Sequence, residues 1–208
     1  MDIVAIAALA PVIPVLTVEQ VADAVPLARA LVRGGLPALE ITLRTPAALD
    51  ALAAIAAEVE GAVVGAGTVL EVGQVDKIVA AGARFAVSPG FSPVVGSAVR
   101  AAGLPFLPGI QTVSESLAAA EQGWRVQKFF PADRAGGPGW LKAVAAPLAG
   151  LRYCPTGGIG SENAEAYLAL PNVVCVGGSW VAPKEAIASK NWSQIERLAA
   201  AAAALKRS

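Results

Sequence analysis

The segment VQKFFP, residues 126–131, decides how the rest of the chain is interpreted. It is short, apolar and closed by a proline, which favours a β-strand over a helix. Because side chains alternate along a strand, Val126, Lys128 and Phe130 share one face. Gln127 and Phe129 then share the opposite face.

The charge on Lys128 is the unusual feature of this predicted strand. Burying an ammonium group costs several kcal/mol unless the group is neutralised, paired or used in chemistry. An isolated strand lysine more commonly extends its ammonium to solvent and buries only its stem. Other segments must therefore decide between these two roles.

The composition is more apolar than that of a typical soluble domain, with 55% hydrophobic and 15% charged residues among 208. That surplus suits a parallel sheet covered by helices on both faces. The length lies in the range of one domain, and no linker or low-complexity segment interrupts it. A single domain over residues 1–208 is therefore expected.

The charge pattern argues against polymer and membrane partners. Sixteen basic and sixteen acidic residues cancel and form no basic patch, so no nucleic-acid partner is expected. The uncharged run near the N-terminus, residues 3–18, contains Pro11 and Pro14 and is too short for a membrane span. Asp2 stands where a signal peptide has its positive start, so we expect a cytoplasmic location.

The chain contains no histidine and two cysteines. The absence of histidine removes the commonest general acid–base group and the commonest zinc ligand, so we expect no metal centre. In a reducing compartment Cys154 and Cys175 are expected to stay unpaired, each facing a core as a small hydrophobic residue.

Short apolar strands alternate with alanine-rich helical stretches along the whole chain. The predicted strands are 12–16, 38–44, 62–67, 84–88, 105–107, 125–130, 151–156 and 173–176. The predicted helices are 18–32, 46–59, 71–81, 93–102, 112–122, 140–145, 161–168 and 183 to the C-terminus. This alternation predicts a parallel sheet with right-handed crossovers, and eight units favour a closed (β/α)8 TIM barrel. An open doubly wound sheet is the alternative, although no Gly-x-Gly-x-x-Gly follows the first strand.

The second strand, LEITLR at 39–44, carries a polar face. Glu40, Thr42 and Arg44 alternate with leucines and isoleucine, so they point together into the barrel, with Arg44 roughly 13 Å nearer the rim than Glu40. An edge strand with one wet face would give the same pattern. A buried carboxylate and arginine are costly, and function is a common reason for keeping them.

Glycine-rich segments end the last two strands, at 156–158 (TGG) and 177–179 (GGS). Paired glycines expose backbone N–H groups, and phosphate sites of barrels commonly lie in these two loops. We therefore expect a phosphate or another small anion there. Similar small residues at 65–68 and 87–90 are adequately explained as turns.

Lys128, Glu40 and Arg44 together permit one mechanism. A neutral lysine can attack a ketone to form an imine, which withdraws electrons from the adjacent carbon–carbon bond. Glu40 could transfer the protons, and Arg44 could hold a carboxylate with two hydrogen bonds. The missing histidines fit this scheme and count against zinc-dependent aldolases.

Seven segments resemble the family of 2-keto-3-deoxy-6-phosphogluconate (KDPG) aldolases, class I enzymes of the Entner–Doudoroff route. They are LEITLRT (39–45), GAGTVL (65–70), VSPG (87–90), PGIQTVSE (108–115), KFFPA (128–132), CPTGGI (154–159) and GGSW (177–180). The resemblance implies a cofactor-free, cytoplasmic homotrimer. It also implies cleavage of the phosphorylated keto-sugar acid to pyruvate and glyceraldehyde 3-phosphate, with some members also cleaving 4-hydroxy-2-oxoglutarate.

The resemblance assigns a role to each residue that matches a family motif. Lys128 would form the Schiff base, and Glu40 would be the general acid–base, acting partly through water. Arg44 and Thr68 would bind the pyruvyl carboxylate. Thr156, Phe130 and Pro89 would line the pocket, while Gly157, Gly158, Gly178 and Ser179 would bind the phosphate.

Three positions depart from the expected pattern: Asp133, Gly160 and Gln111. None is an implied catalytic residue, although Gly160 lies beside the expected phosphate loop and could alter affinity there.

Two other functional classes remain open. A phosphosugar isomerase or epimerase would need the anion loops without the lysine, and a catalytically silent assembly protein would gain stability by losing Glu40 and Arg44. The nearest alternative is a related aldolase that acts on the galactonate epimer or chiefly on unphosphorylated hydroxy-oxoglutarate.

Overall fold

The computed structural model describes residues 1–207, in which nine strands and ten helices follow one another. The strands are β1 (Val12–Leu16), β2 (Ala38–Thr42), β3 (Val63–Gly67), β4 (Ala86–Val87), β5 (Phe106–Leu107), β6 (Gly109–Ile110), β7 (Val126–Phe129), β8 (Arg152–Pro155) and β9 (Val176–Gly178). The helices are α1 (Ile3–Ala7), α2 (Val21–Arg33), α3 (Ala48–Glu58), α4 (Val72–Ala80), α5 (Pro93–Ala101), α6 (Val113–Glu121), α7 (Gly137–Val144), α8 (Ala164–Leu168), α9 (Lys184–Ala188) and α10 (Trp192–Ala203).

All strand pairs are parallel, as the alternation of strands and helices predicts. Six strands form a curled sheet in the order β5-β4-β3-β2-β1-β9, and three form a second sheet in the order β6-β7-β8. The register places Glu40 beside Gly65 of β3 and Lys128 beside Gly109 of β6. The predicted parallel α/β class is therefore confirmed.

Most predicted strands match the observed ones to within two residues at each end, and two differ further. The last strand, expected at 173–176, is Val176–Gly178, because Gly177 and Gly178 pair with β1 opposite Ile13 and Pro14. The glycine pair thus lies within the strand rather than after it. The fifth strand continues beyond 107 but is divided at Pro108, which has no N–H to donate to a ladder.

The helix predicted from residue 183 onward is also two helices. α9 ends at Ala188 and α10 begins at Trp192. Lys190 lies between them with a φ of +55°, in the left-handed region, which interrupts a continuous helix.

Side-chain alternation separates two apolar clusters. Leu39, Ile41 and Phe129 face outward and pack in the large cluster between strands and helices. The second, which we call the inner cluster, lies on the opposite strand face and is covered by α1. Its members are Ile6, Ala7, Ile13, Ala38, Phe85, Val87, Leu107, Val126, Cys154 and Cys175.

Both thiols lie in the inner cluster, unpaired and buried, as expected from the sequence. A hydrogen bond with the Cys154 thiol, together with burial, holds the pKa of the Cys175 thiol well above its ordinary value. A protonated thiol is a poor nucleophile, so Cys175 serves packing.

Among residues 1–207, no helix is both long enough and apolar enough to cross a membrane.

Candidate active site

Lys128 and Glu40 form a buried ion pair across the two sheets. The Lys128 Nζ lies 3.1 Å from Oε1 and 3.5 Å from Oε2 of Glu40. The two side chains are only 4% and 3% exposed. The common solvent-directed conformation of a strand lysine is therefore not adopted, and the ammonium is paired instead.

Small neighbours leave room for this pair. Lys128 has Gly109 and Cys154 beside it on the adjoining strands. At Gly67, which ends β3, an added Cβ would lie 2.7 Å from the Cδ of Glu40. Glycine at position 67 is thus required by the space that the Glu40 carboxyl occupies.

Arg44 and Thr68 are in contact, as the predicted carboxylate site requires. The Arg44 Nε donates to the Thr68 Oγ1 over 3.2 Å. Thr68 has a φ of +62°, a conformation that is strained for a β-branched residue and is concentrated at functional sites. Among residues 1–207, Arg44 takes part in no ion pair, so its guanidinium is available to an anion.

A cavity of about 520 Å³ opens at the carboxyl ends of the strands. Its lining includes eight of the predicted site residues: Arg44, Lys128, Phe130, Thr156, Gly157, Gly158, Gly178 and Ser179. The Lys128 Nζ lies 5.5 Å from the centre of the Phe130 ring. The cavity therefore joins the lysine, the guanidinium and both glycine pairs.

Three predicted site residues do not line this cavity. Glu40 lies behind Lys128, and Thr68 contacts Arg44. Pro89 instead packs against Gly109, where an added Cβ would collide with the Pro89 backbone. Pro89 thus packs against the residue that pairs with Lys128 on the neighbouring strand.

The loop after β8 has the backbone conformation that paired glycines allow. Gly157 and Gly158 have φ angles of +97° and +74°. The Asn163 side chain holds this loop, since its Nδ2 donates to the Gly158 oxygen and its Oδ1 accepts from Gly160 N–H, each over 2.9 Å. Asp133 adds a bond from its N–H to the Gly157 oxygen over 3.1 Å. Asp133 and Gly160 hence support the loop through backbone atoms.

Among the lining residues that sequence reasoning missed, three can contribute polar or aromatic contacts: Thr17, Trp180 and Lys184. Thr17 directly follows β1, so the rule that sites lie after strand ends could have found it. Trp180 follows the predicted anion loop by one residue. Lys184 had no comparable signal, because the turn before α9 brings it to the cavity.

The cavity carries little carboxylate. Within residues 1–207, no group of three or more His, Cys, Asp and Glu side chains is close enough to hold a metal ion. Arg44, Lys128 and Lys184 give the lining an excess of cations, so it suits an anionic small molecule.

Comparison with protein-family models identifies the family of this chain. The family model for KDPG and KHG aldolases matches residues 3–198. The chain belongs to this aldolase family. The resemblance inferred from the sequence motifs is thereby confirmed.

Relatives of this aldolase match along nearly their whole length. The chain is 47% identical over 194 residues to the 2-dehydro-3-deoxy-phosphogluconate aldolase of Pseudoalteromonas atlantica, covering 93% of this chain and 90% of that one. It is 47% identical over 189 residues to the KHG/KDPG aldolase of Escherichia coli, covering 91% and 89%.

Solved structures agree with this placement. A KDPG aldolase from Legionella pneumophila, with pyruvate captured as a covalent carbinolamine, has a TM-score of 0.95 at 46% identity, covering 98% of this chain and 99% of that one. The Zymomonas mobilis enzyme with 3-phosphoglycerate also has a TM-score of 0.95, at 45% identity, covering 100% and 97%.

Proposed function

We propose that this protein is a class I aldolase that cleaves 2-dehydro-3-deoxy-6-phosphogluconate to pyruvate and glyceraldehyde 3-phosphate. The observation that carries the proposal is the buried Lys128–Glu40 pair, with Nζ and Oε1 3.1 Å apart, at the wall of a cavity lined by anion-binding groups. Membership of the aldolase family supports it. The reaction needs neither metal nor organic cofactor, since the imine itself withdraws the electrons.

Imine formation begins with a proton transfer within the pair. Glu40 accepts a proton from the Lys128 ammonium, and the free amine attacks the keto carbon of the substrate to give a carbinolamine. Glu40 then protonates the departing hydroxyl, directly or through water, and the iminium forms as water leaves. Both groups are almost fully buried, which strengthens their electrostatic interaction relative to water.

Carbon–carbon cleavage follows from the iminium. The C4 hydroxyl loses its proton to Glu40 through water, the C3–C4 bond breaks, and its electrons move to the iminium nitrogen. Glyceraldehyde 3-phosphate leaves, and the remaining enamine is protonated at C3. Hydrolysis of the resulting imine releases pyruvate and restores Lys128.

The two ends of the substrate are held by different groups. Arg44, positioned by its hydrogen bond to Thr68, binds the pyruvyl carboxylate. Gly157, Gly158, Gly178 and Ser179 bind the phosphate, and Thr156 and Phe130 line the pocket between them. The solved Zymomonas mobilis relative with 3-phosphoglycerate, a phosphorylated acid, supports a phosphate site in this family.

We also propose that the two sheets close into a single-domain (β/α)8 barrel over the whole chain. Pro108 alone separates β5, which pairs with β4, from β6, which pairs with β7. Parallel bridges from Tyr153 to Val173 and from Thr156 to Gly177 connect the other margins of the two sheets. A ring of eight strands accounts for both junctions.

A homotrimer is the assembly that we propose. Exposed apolar residues lie just before or within the first two turns of three successive helices, α4, α5 and α6; they are Leu70, Val72, Val94, Val113 and Leu117. Such a surface favours burial against a second copy. Sedimentation equilibrium should give three times the chain mass, and Val94→Glu with Leu117→Glu should give the monomer. The unpaired cysteines support the cytoplasmic location that we propose.

The unphosphorylated acid 4-hydroxy-2-oxoglutarate is a second candidate substrate. The Escherichia coli relative is named for both the KHG and the KDPG activity. Comparing pyruvate release from this compound, from the gluconate substrate and from its galactonate epimer will define the range.

Covalent trapping tests the proposed reaction. Pyruvate with borohydride should add one reduced pyruvyl group to Lys128, located by peptide mass spectrometry. Lys128→Ala should carry no label, whereas Lys142→Ala, on the exposed surface of α7, should be labelled as the wild type is. A label that persists in Lys128→Ala would refute the Schiff-base assignment.

A further inference from the structure

Lys184 is a cation of the active-site cavity for which the proposed mechanism has no role. It is the first residue of α9 and lines the same cavity as Ser179 and Gly178. Within residues 1–207, the ion pairs involve Arg29, Arg33 and Lys128 but not Lys184. Its side chain is exposed, so the ammonium is free to meet a ligand.

One charged group of the substrate, the phosphate, has no cationic partner among the residues of the proposed mechanism. A phosphorylated keto acid carries a carboxylate at one end and a phosphate with a charge of about −1.5 to −2 at the other. Arg44 serves the carboxylate, and Lys128 is engaged by Glu40 before it becomes an imine. Glycine N–H groups and the Ser179 hydroxyl are neutral, so the phosphate end lacks a positive partner without Lys184.

Lys184 also lines a second, neighbouring pocket. This second cavity, of about 290 Å³, shares Thr17, Lys184 and Ile187 with the first and is also lined by Glu19 and Asp23. Lys184 therefore lies on the wall shared by the active-site cavity and a pocket that carries two carboxylates, of which Glu19 is exposed and Asp23 is half-buried. Lysine suits this position, because its charge is compact and its stem is flexible.

We propose that Lys184 is a specificity-determining residue, whose ammonium contacts the substrate phosphate and produces the preference for phosphorylated over unphosphorylated substrates. In the absence of an anion, Glu19 and Asp23 attract the same ammonium. The inference rests on the proposed aldolase function and deepens it at the phosphate end of the site.

The test compares Lys184→Ala, Lys184→Arg and Lys77→Ala, the last removing an exposed lysine of α4 outside the cavity. The first readout is the ratio of kcat/KM for the phosphorylated substrate to kcat/KM for 2-keto-3-deoxygluconate, which lacks the phosphate. The second is the inhibition constant of inorganic phosphate. Lys184→Ala should lower the ratio by about tenfold or more and raise the inhibition constant similarly, as loss of one charge-assisted hydrogen bond predicts. Lys184→Arg should keep most of the kcat/KM ratio and of the affinity for inorganic phosphate. Lys77→Ala should leave both at their wild-type values.

Unchanged values of both readouts in Lys184→Ala, or equal losses in Lys77→Ala, would overturn the inference. Borohydride trapping of pyruvate on the wild type separates this failure from a failure of the function, because pyruvate carries no phosphate. If the wild type traps pyruvate and the ratio does not move, only the role of Lys184 is wrong. If the wild type neither traps pyruvate nor cleaves the substrate, the aldolase function falls and the inference falls with it.

Discussion

The two ends of the inner strand face bury opposite kinds of side chain. At the amino end, the inner cluster is wholly apolar and is covered by α1. At the carboxyl end, Glu40, Lys128 and Thr156 are buried and polar. The change takes place within a single strand: Val126 belongs to the inner cluster, whereas Lys128, the next residue on the same face, pairs with Glu40.

This contrast teaches how one set of strands serves stability and chemistry at once. Apolar burial at the amino end is non-directional, so it does not require a partner at a defined distance and angle. The polar end is favourable only when each charge has its partner at the correct distance. Substitutions at the two ends should therefore have separable effects on stability and on activity.

The largest effect is expected at Lys128. Lys128→Met should lower kcat by at least about 10⁴-fold, since the proposed nucleophile is lost, and should destabilise the fold by about 3–5 kcal/mol because Glu40 stays buried and unpaired. The double variant Lys128→Met/Glu40→Leu should be inactive yet about as stable as the wild type. Steady-state kinetics and urea unfolding measure the two effects. A double variant less stable than Lys128→Met would contradict the polar-end interpretation.

The amino end should give the reverse result. Ile6→Ala on α1 removes a side chain that is 1% exposed and should lower the free energy of unfolding by about 2–4 kcal/mol. At a temperature where the variant stays folded, kcat/KM should equal that of the wild type. Val4→Ala is the matched control, because Val4 lies on the same helix and is 50% exposed. A large loss of kcat in Ile6→Ala would show that the two ends are coupled.

Gly67→Ala should disturb the polar end without removing any functional group. The added methyl meets the Glu40 carboxyl and displaces it from Lys128, so we expect kcat to fall by about 10- to 100-fold. Gly73→Ala in α4 is the control, since nothing lies within 4 Å of its added Cβ. There we expect unchanged kinetics and a gain of about 0.5–1 kcal/mol in stability. Equal kinetics in both variants would refute the steric role of Gly67.

The smallest effect concerns pH. The pKa of the Cys175 thiol is raised in the folded protein, so the thiol favours folding below its unfolded pKa. This contribution to the free energy of unfolding should decline as pH rises above about 8.5, where the thiol of the unfolded chain ionises. It should be lost as pH rises through the pKa of the folded thiol. Unfolding measured between pH 7.5 and 10 should therefore show a steeper decline for the wild type than for Cys175→Ala, by up to about 1.4 kcal/mol per pH unit. Parallel curves would exclude the thiol as the cause.

Local patterns predicted most of the fold and the central part of the candidate site. β1 was predicted at its observed bounds, and the alternation in 39–44 placed Leu39 and Ile41 outward and Glu40 inward. Such predictions succeed because side-chain alternation depends only on consecutive residues. The position of β9 was wrong, because pairing with β1, more than 150 positions away in the sequence, extended the strand into Gly177 and Gly178.

The sequence by itself determined which side chains share a face, where the strand ends carry polar groups, and which family the motifs resemble. Tertiary structure alone decided that Lys128 meets Glu40, 88 positions away, and that Gly67 leaves room for the carboxyl. It also brought Lys184 to the cavity and removed Pro89 from its lining. The physical reason is that a local pattern sets the direction of a side chain, whereas its partner depends on how distant strands pack. For Lys128, direction came from residues 126–131, and burial beside a carboxylate came from the fold.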